Sequence, residues 1–290
     1  MQAPEIVTPE LLREWPLPDP AGSKRGRGRA VVVGGAAATP GGVALAGLAS
    51  LRGGAGRVQL AMARSVAPAM AASFPEAGVI ALPENERGSV SGAESARVLG
   101  DVVGSADAVL IGPGLDDVDE TTDLLVTLLP HIETGTALVL DAYALGALSR
   151  SDEVRGRVTA REHPPVLTPN PVELGLLAGI EDEADENDVP EVARRYSCCV
   201  TSISTIASPD ARTWRIPQGR SGLATAGSGD VLAGLVVGLL ARGAGAEQSA
   251  CWGTYLHSMA GERLSSMIGG VGFLARELVD QVPPILAELG

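Results

Sequence analysis

The sequence predicts an α/β fold in which helices cover both faces of a mostly parallel sheet. Short apolar runs, typical of buried strands, alternate along the chain with longer runs that have the spacing of helices. Only eight of the 290 residues are aromatic (three Trp, three Tyr and two Phe), so aliphatic side chains must fill the core, as in parallel sheets. With 45% hydrophobic residues, a chain of this length can bury one large core. We therefore expect a single domain over residues 30–290, after an N-terminal lead-in formed by residues 1–29.

Composition excludes several classes of function. The formal net charge of −13 argues against nucleic acid as a partner, because phosphate contacts require clustered basic side chains. Lys24 is the single lysine, which excludes a Walker-type phosphate loop and disfavours Schiff-base chemistry. Three cysteines without a Cys-x-x-Cys spacing predict neither a disulfide framework nor a zinc site. The cysteine pattern makes a reducing cytoplasm the expected location. Because the longest apolar run, residues 231–241, is too short to cross a bilayer, we expect no membrane partner.

The first part of the chain predicts a strand, a glycine-rich turn and a helix. A short helix is expected over residues 9–15, and residues 23–29 form a basic loop that is either solvated surface or the edge of an anion site. The strand at 30–35 leads through glycines to a helix over 43–51. These glycines do not follow the Gly-x-Gly-x-x-Gly pattern, and no acidic residue ends the next strand, 57–62, so a hydride-transfer enzyme is disfavoured. What Gly41 and Gly42 provide is a helix start that a ligand can approach closely.

Strands and helices then alternate through the middle of the chain. The predicted strands are residues 78–82, 107–111 and 136–140, and a helix is predicted over residues 94–103. A Gly-Pro-Gly-Leu turn at residues 112–115 exposes backbone to a ligand. Asp141 ends the third strand, at the edge of a parallel sheet where ligands bind. It either caps a helix over residues 142–148 or faces a ligand.

The segment after the strand at residues 165–168 carries Asn170 and Glu173, three residues apart at a helix start. This spacing is typical of a capping box, and it also suits a water-mediated Mg²⁺ site beside phosphates, so both interpretations stay open. We expect residues 181–191 to be solvated acidic surface. Three short strands follow, with a hairpin turn at residues 208–210, and two late helices close the chain. These strands are residues 198–200, 204–207 and 213–216, and the helices are residues 247–267 and 274–289, the latter interrupted by Pro283 and Pro284.

Residues 225–234 form the most informative motif of the sequence, a glycine-rich segment that leads into a helix. The sequence Thr-Ala-Gly-Ser-Gly precedes Asp230, and an apolar helix closed by Arg-Gly follows it. A helix start carries free N–H groups and partial positive charge, and glycines let an anion approach them. We therefore predict a phosphate cradle beside Asp230. This residue is either a helix cap or a base that deprotonates a hydroxyl attacking a phosphoryl group.

Taken together, these motifs resemble the ADP- or ATP-dependent NAD(P)H-hydrate dehydratases of the ribokinase-like superfamily, over nearly the whole chain from about Lys24 onward. The matching segments occur in the family's order and spacing. They are the glycine-rich region from Gly34 to Gly56, Gly-Pro-Gly-Leu at 112–115, Leu-Asp-Ala at 140–142, Ala-Gly-Ser-Gly-Asp-Val-Leu-Ala-Gly at 226–234, and Tyr-Leu-His at 255–257 with Ala-Gly-Glu at 260–262. The resemblance implies a ribokinase-like three-layer α/β/α fold with a central, mostly parallel sheet.

The resemblance also implies an activity and a set of site residues. ADP or ATP, with Mg²⁺, would phosphorylate the hydroxyl of a hydrated nicotinamide ring in NADH or NADPH, and phosphate would then leave to restore the double bond. Asp230 would be the base and contact the substrate, and Glu173 would be the metal ligand. From its surroundings in the sequence alone, His257 is expected to be a core histidine or one that supports the site rather than a catalyst. The implied substrate-binding residues are Gly42, Gly114 and Asn170, and the implied nucleotide-binding residues are Gly227, Ser228, Gly229, Thr201, Ser202 and Ser204.

The sequence departs from the family pattern at several of these positions. Asn170 and Val172 stand where the family usually has His and Gly, and Val200-Thr201-Ser202 replaces a Lys-Gly pair. Gly42 stands where the family has Ala. The Asn-x-x-Glu form is also typical of ribokinase-like sugar and vitamin kinases. A small-molecule kinase and an inactive nucleotide-binding paralogue are therefore the alternatives.

The resemblance has consequences for partners as well. The family commonly carries an epimerase domain at its N-terminus, and this chain has no room for one, so a separate NAD(P)H-hydrate epimerase is implied. We also expect a homo-oligomer.

Overall fold

A computed structural model describes residues 3–19, 26–217 and 223–290, which form one ten-stranded sheet between two layers of helices. Residues 20–25 of the lead-in, including part of the predicted basic loop, lie outside the described residues. The strands are β1 (Glu5–Ile6), β2 (Arg29–Val33), β3 (Arg57–Ala63), β4 (Gly78–Leu82), β5 (Ala108–Ile111), β6 (Ala137–Leu140), β7 (Val166–Leu167), β8 (Cys199–Ser202), β9 (Thr205–Ala207) and β10 (Thr213–Arg215). The helices are α1 (Pro9–Glu14), α2 (Pro40–Gly53), α3 (Ala67–Ser73), α4 (Gly92–Val103), α5 (Val118–Leu128), α6 (Tyr143–Arg150), α7 (Asp152–Thr159), α8 (Pro171–Ala178), α9 (Val189–Tyr196), α10 (Ser228–Ala241), α11 (Ala246–Met267) and α12 (Ala275–Leu289).

The sheet confirms the predicted mostly parallel architecture. Its strand order is β1-β10-β9-β8-β7-β6-β5-β2-β3-β4, and β9 alone runs antiparallel to both of its neighbours. The parallel strands therefore end at one edge of the sheet, where the loops after β2, β5, β6 and β7 meet. This edge carries the predicted site residues of those loops.

Aliphatic packing on both faces of the sheet produces the three layers. Alternate residues of a strand point to opposite faces: Val32 packs into the core shared with α2, α10, α11 and α12, and Val31 packs into the core shared with α4, α5, α6 and α9. All four Val31, Val32, Leu110 and Ile111 side chains are fully buried. Among the described residues, no helix has both the length and the apolar character needed to span a membrane.

Two helices that begin at the site pack against each other through small residues. A Cβ on Gly234 of α10 would lie 2.3 Å from the carbonyl oxygen of Ala46, and one on Gly238 would lie 2.3 Å from that of Ser50. Glycine therefore lets the backbones of α2 and α10 touch. This contact fixes the start of α10 relative to the start of α2.

Several elements differ from the sequence prediction. Pro283 and Pro284 do not interrupt the last helix, since α12 is continuous through both. The buried side chains Leu278, Val279 and Val282 continue onto Ile285 along one face, and this packing outweighs the backbone bonds that the two prolines remove.

Other elements were not predicted at all. The short helices α3, α5 and α7 and strand β1 had no counterpart, and α9 begins inside the segment expected to be acidic surface. The lead-in contributes β1, which pairs in parallel with β10, and α1, whose Leu12 is buried in the core. The predicted helix in the lead-in is thus present as α1.

Candidate functional site

The first turn of α10 forms an open cradle of backbone N–H groups. Its N-cap residue, Gly227, has φ +87°, and no side chain caps the helix. This positive φ favours glycine, and a Cβ on Gly227 would also come within 2.5 Å of a Leu45 methyl group. A Cβ on Gly229 would meet nothing within 4 Å, which leaves open space in front of the amides. An anion can approach this helix start without obstruction.

Asp230 lies in that first turn, two residues after Ser228, and is not the helix cap. Its carboxylate is half-buried. Burial, with the nearby carboxylate of Glu173 as the second cause, raises the pKa of Asp230 to about 6. A carboxylate with such a pKa is mostly ionised at neutral pH and still accepts a proton readily, as a general base requires.

Gly42 lies directly against this carboxylate, and Gly114 lies next to Gly42. A Cβ on Gly42 would be 3.0 Å from Asp230 Oδ1 and 2.9 Å from the Gly114 nitrogen. Gly114 has φ +71°, and its carbonyl oxygen accepts hydrogen bonds from the Ala36 N–H at 2.7 Å and from the Thr39 hydroxyl at 2.8 Å. The turn after β5 is therefore bonded to the turn after β2. The structure brings these three predicted site residues together.

Asn170 and Glu173 form the capping box of α8. The Asn170 side chain accepts from the Glu173 N–H and the Glu173 carboxylate accepts from the Asn170 N–H, both at 2.9 Å. The box uses one oxygen of Glu173 and leaves the other available. Burial raises the pKa of Glu173, while the bond from Asn170 opposes this. The capping interpretation is thus confirmed, and it still leaves an oxygen for a metal.

Asp141 is a buried carboxyl group at the end of β6. It accepts a 2.7 Å hydrogen bond from the Thr168 hydroxyl, and no side chain caps α6. Burial and the negative charge of Glu173, with a smaller contribution from Asp230, raise the pKa of Asp141 to about 8. Its carboxyl group is therefore largely protonated at neutral pH.

The hydroxyl groups predicted on the nucleotide side are mostly engaged within the protein. Thr201 and Thr254 share a hydrogen bond of 2.7 Å between their hydroxyls, and the Ser202 hydroxyl donates to the Pro169 carbonyl at 2.7 Å. The side chains of Thr201, Ser202, Ser204 and Thr254 are all buried. The hydroxyl groups of Thr201 and Ser202 are therefore bonded to neighbouring protein groups.

Sequence reasoning missed Thr254 and gave His257 only a supporting place. The His257 imidazole Nε2 lies 2.8 Å from the Ser228 hydroxyl, and both side chains are buried. Burial lowers the pKa of His257 to about 4, so the ring is neutral at physiological pH. The three-residue spacing of Thr254 and His257 places both on one face of α11 and was the available signal.

The carboxylates of Glu173 and Asp230 give the site negative charge that suits a hard cation. The charge of Glu173 raises the pKa values of both Asp141 and Asp230, and Asp230 adds to the shift at Asp141; oxygen ligands are those that Mg²⁺ prefers. Within the described ranges, no group of three metal-ligating side chains is close enough to form a complete cage. This arrangement fits Mg²⁺ held by one or two carboxylates together with substrate phosphates.

A three-layer α/β/α domain with a carboxylate in an uncapped, glycine-rich helix start is the architecture of a ribokinase-like, nucleotide-dependent enzyme. The NAD(P)H-hydrate dehydratase family model matches residues 30–284. The chain belongs to this family.

Individual relatives agree with this assignment. The chain is 42% identical to the ADP-dependent (S)-NAD(P)H-hydrate dehydratase of Xanthomonas campestris, with 100% of this chain and 99% of the relative aligned. It is 34% identical to a bifunctional NAD(P)H-hydrate repair enzyme of Moorella thermoacetica, of which it spans 52%. The crystal structure of the Bacillus subtilis ADP/ATP-dependent NAD(P)H-hydrate dehydratase, co-crystallised with ATP and Mg²⁺, superimposes with a TM-score of 0.84 at 25% identity over all of both chains.

Proposed function

We propose that this protein dehydrates hydrated NADH and NADPH, using ADP or ATP as the phosphoryl donor. The observation that carries the proposal is the position of Asp230 between two surfaces. On one side lies the open first turn of α10, and on the other lie Gly42 and Gly114. A substrate hydroxyl group held against these glycines would lie beside the Asp230 carboxylate. It would also face a phosphoryl group held by the amides of α10.

The proposed chemistry has two steps. Asp230 removes the proton of the ring hydroxyl as its oxygen attacks the terminal phosphorus of the nucleotide, and the bond to the remaining nucleotide breaks. Phosphate, a much better leaving group than hydroxide, then departs with the electrons of the carbon–oxygen bond. The adjacent carbon loses a proton, and the ring double bond is restored. Amide donors at the helix start stabilise the charge that develops on the transferred phosphoryl group.

The remaining site residues take positions on either side of this point. Gly42, Gly114 and Asn170 would lie along the hydrated dinucleotide. The nucleotide side would consist of the cradle and the end of β8 with its following turn. These residues are Gly227, Ser228, Gly229, Thr201, Ser202 and Ser204.

Mg²⁺ would be held by Glu173 and the nucleotide phosphates. The carboxylate oxygen of Glu173 that the capping box does not use supplies the ligand. The cation would neutralise phosphate charge in a site where the charge of Glu173 already raises the pKa values of Asp141 and Asp230.

We further propose that a separate epimerase serves the same pathway in the cytoplasm. The Xanthomonas relative is named for the (S) form of the substrate, and water adds to both faces of a planar ring, so the other epimer would need conversion. The three cysteines are free and buried, which suits a reducing compartment. We also propose that the enzyme is a homo-oligomer, which sedimentation of the pure protein tests.

The direct test follows the recovery of nicotinamide absorbance after hydrated NADH is mixed with the protein, Mg²⁺ and either ADP or ATP. Recovery that requires a nucleotide and disappears in Asp230→Asn is the expected result, with nucleotide binding by Asp230→Asn retained. Stable accumulation of a phosphoester would instead identify a kinase. Nucleotide binding without turnover of either hydrate would identify an inactive paralogue.

A further inference from the structure

Helix α11 presents two buried polar side chains to the nucleotide end of the site. Thr254 and His257 are three residues apart and so lie on the same face of the helix. Thr254 bonds to Thr201 on β8 at 2.7 Å, and His257 bonds to Ser228 at the start of α10 at 2.8 Å. One helix face thus contacts both segments that the proposed function assigns to the nucleotide.

These contacts are secluded from solvent. The exposed fractions are 1% for Thr201, 3% for Thr254, 5% for Ser228 and 7% for His257. The imidazole is neutral because burial lowers its pKa to about 4. It therefore offers one N–H donor and one acceptor nitrogen rather than a positive charge. A neutral, buried ring is poorly suited to bind a phosphate itself.

The hydrogen bond between His257 and Ser228 holds the start of α10, which has no capping side chain. Helices usually begin with a side chain that caps their free amides, but none caps α10. The Ser228 hydroxyl points to α11 and bonds to the imidazole. The amides of the first turn thus stay open for a ligand, while the turn is held from outside the helix.

We infer that His257 is a positioning residue for the nucleotide: it holds Ser228, and through it the open first turn of α10, in the geometry that binds phosphate. This inference rests on the proposed function, because that function places the phosphates at the first turn. Thr254 acts in the same way on Thr201, from the same helix face. A bond that holds donors in place before binding lowers the ordering cost of binding.

The test measures ADP affinity by calorimetry in the presence of Mg²⁺ and, in parallel, the KM values for nucleotide and hydrated NADH. His257→Leu removes the bond at similar volume, and His257→Gln returns an amide group, which can donate or accept, to nearly the position of Nε2. We expect His257→Leu to weaken ADP binding about tenfold, the size typical of one lost hydrogen bond near a charged group. The KM for hydrated NADH should stay unchanged, and His257→Gln should restore ADP affinity.

A double-mutant cycle shows whether His257 acts through Ser228. We expect Ser228→Ala and His257→Leu to weaken ADP binding similarly, with the double variant no weaker than either one. Leu264→Ala serves as the matched control, because it opens a cavity on the same face of α11, two turns further on. This control should lower Tm and leave ADP affinity intact.

Several results would overturn the inference. One is a His257→Leu variant that loses stability as Leu264→Ala does while its ADP affinity equals that of the wild type. Fully additive effects in the double variant would do the same. If His257→Leu fails to fold, unchanged ADP affinity in Ser228→Ala would be decisive. Wild-type protein that binds ADP without dehydrating the substrate would overturn the proposed function alone, whereas wild-type protein that binds neither ADP nor ATP would overturn both.

Discussion

Gly42 lies so close to Asp230 that a single added methyl group would reach the carboxylate. A Cβ at this position would be 3.0 Å from Asp230 Oδ1 and 2.9 Å from the Gly114 nitrogen. The space that glycine leaves is therefore part of the site.

Gly42→Ala should reduce turnover more than stability. Although the family has alanine at this position, in this chain the added methyl group must displace the Gly114 backbone or the Asp230 carboxylate by a few tenths of an ångström, and we expect kcat to fall by roughly tenfold for such a misplacement. Gly156→Ala is the control, because it adds the same methyl group in a helix, α7, to which no site residue is assigned, and a Cβ there would meet nothing within 4 Å. Steady-state kinetics and thermal unfolding of both variants check this. Equal kcat in the two variants would contradict it.

The pH profile of kcat/KM should report the ionisation of Asp230. Because burial and Glu173 raise the pKa of Asp230 to about 6, the base becomes protonated as the pH falls through that value. We expect kcat/KM to fall about tenfold per pH unit below about pH 6. Glu173→Gln removes a negative charge and should move this limb to lower pH. A profile flat down to the ordinary range of an aspartate would rule out Asp230 as the titrating base.

The parts of the fold that were predictable from sequence are those with strong local signals. The apolar run that begins after Asp230 and the strand that ends at Asp141 are confirmed as α10 and β6. Strand β1 has two residues and exists because it pairs with β10, more than 200 residues away in the sequence. Such a contact leaves no local pattern.

Helix α9 shows a signal that was present but masked by composition. Its buried residues are Val189, Val192, Ala193 and Tyr196, which have the spacing of an amphipathic helix. Charged residues immediately before them favoured a solvated loop. The spacing of the apolar residues indicates this helix, whereas the high overall polarity of the segment indicates a loop and is misleading.

The site was predictable where a residue's role depends on its neighbours in sequence. The capping box of Asn170 and Glu173 depends on a three-residue spacing, and the sequence specifies it. The pairing of Ser228 with His257 spans 29 residues and two helices. It depends on how α10 and α11 pack, which no motif encodes.

Asp141→Asn should remove a pH dependence of stability. The pKa of Asp141 is raised from 3.8 to about 8 in the folded protein. The folded state therefore binds this proton more tightly than the unfolded state, and stability is lost as the pH rises through that window. The raised pKa of Asp230 makes stability depend on pH only up to about pH 6. The loss of folding free energy between about pH 6 and pH 8 therefore belongs chiefly to Asp141 and is on the order of 3 kcal/mol.

Thermal unfolding of wild type and Asp141→Asn in metal-free buffer checks this prediction. Asparagine keeps an oxygen that can accept the Thr168 hydroxyl, so the packing is retained. The two proteins should differ little below about pH 4, and the variant should become progressively the more stable one as the pH rises from there to about 8. Parallel curves throughout this range would show that Asp141 is not protonated in the folded protein.

Glu173→Gln should separate the capping role of this residue from its proposed metal role. The glutamine carbonyl can still accept the Asn170 N–H, so the box and the free energy of unfolding should be nearly preserved. Loss of the anionic ligand should raise the Mg²⁺ concentration for half-maximal activity by roughly tenfold. Asn170→Ala removes the cap instead and should lower the free energy of unfolding by about 1 kcal/mol. Because it keeps the Glu173 carboxylate, it should leave the Mg²⁺ requirement nearly unchanged. An unchanged Mg²⁺ requirement in Glu173→Gln would exclude Glu173 as a ligand.

Gly238→Ala should destabilise the protein and also impair catalysis, although it lies far along α10 from the site. A Cβ at this position would be 2.3 Å from the Ser50 carbonyl oxygen and 2.7 Å from the Ser50 Cα. Both are backbone atoms, so α10 must move away from α2, at a cost of roughly 3 kcal/mol. Gly156→Ala is the control, since a Cβ in that exposed turn of α7 would meet nothing within 4 Å and should stabilise the helix by about 1 kcal/mol. Denaturant unfolding measures both changes. The α2–α10 contact also sets the distance between Gly42 and Asp230. Gly238→Ala should therefore lower kcat even at temperatures where the variant is fully folded. A normal kcat at those temperatures would show that the two helix starts are positioned independently of this contact.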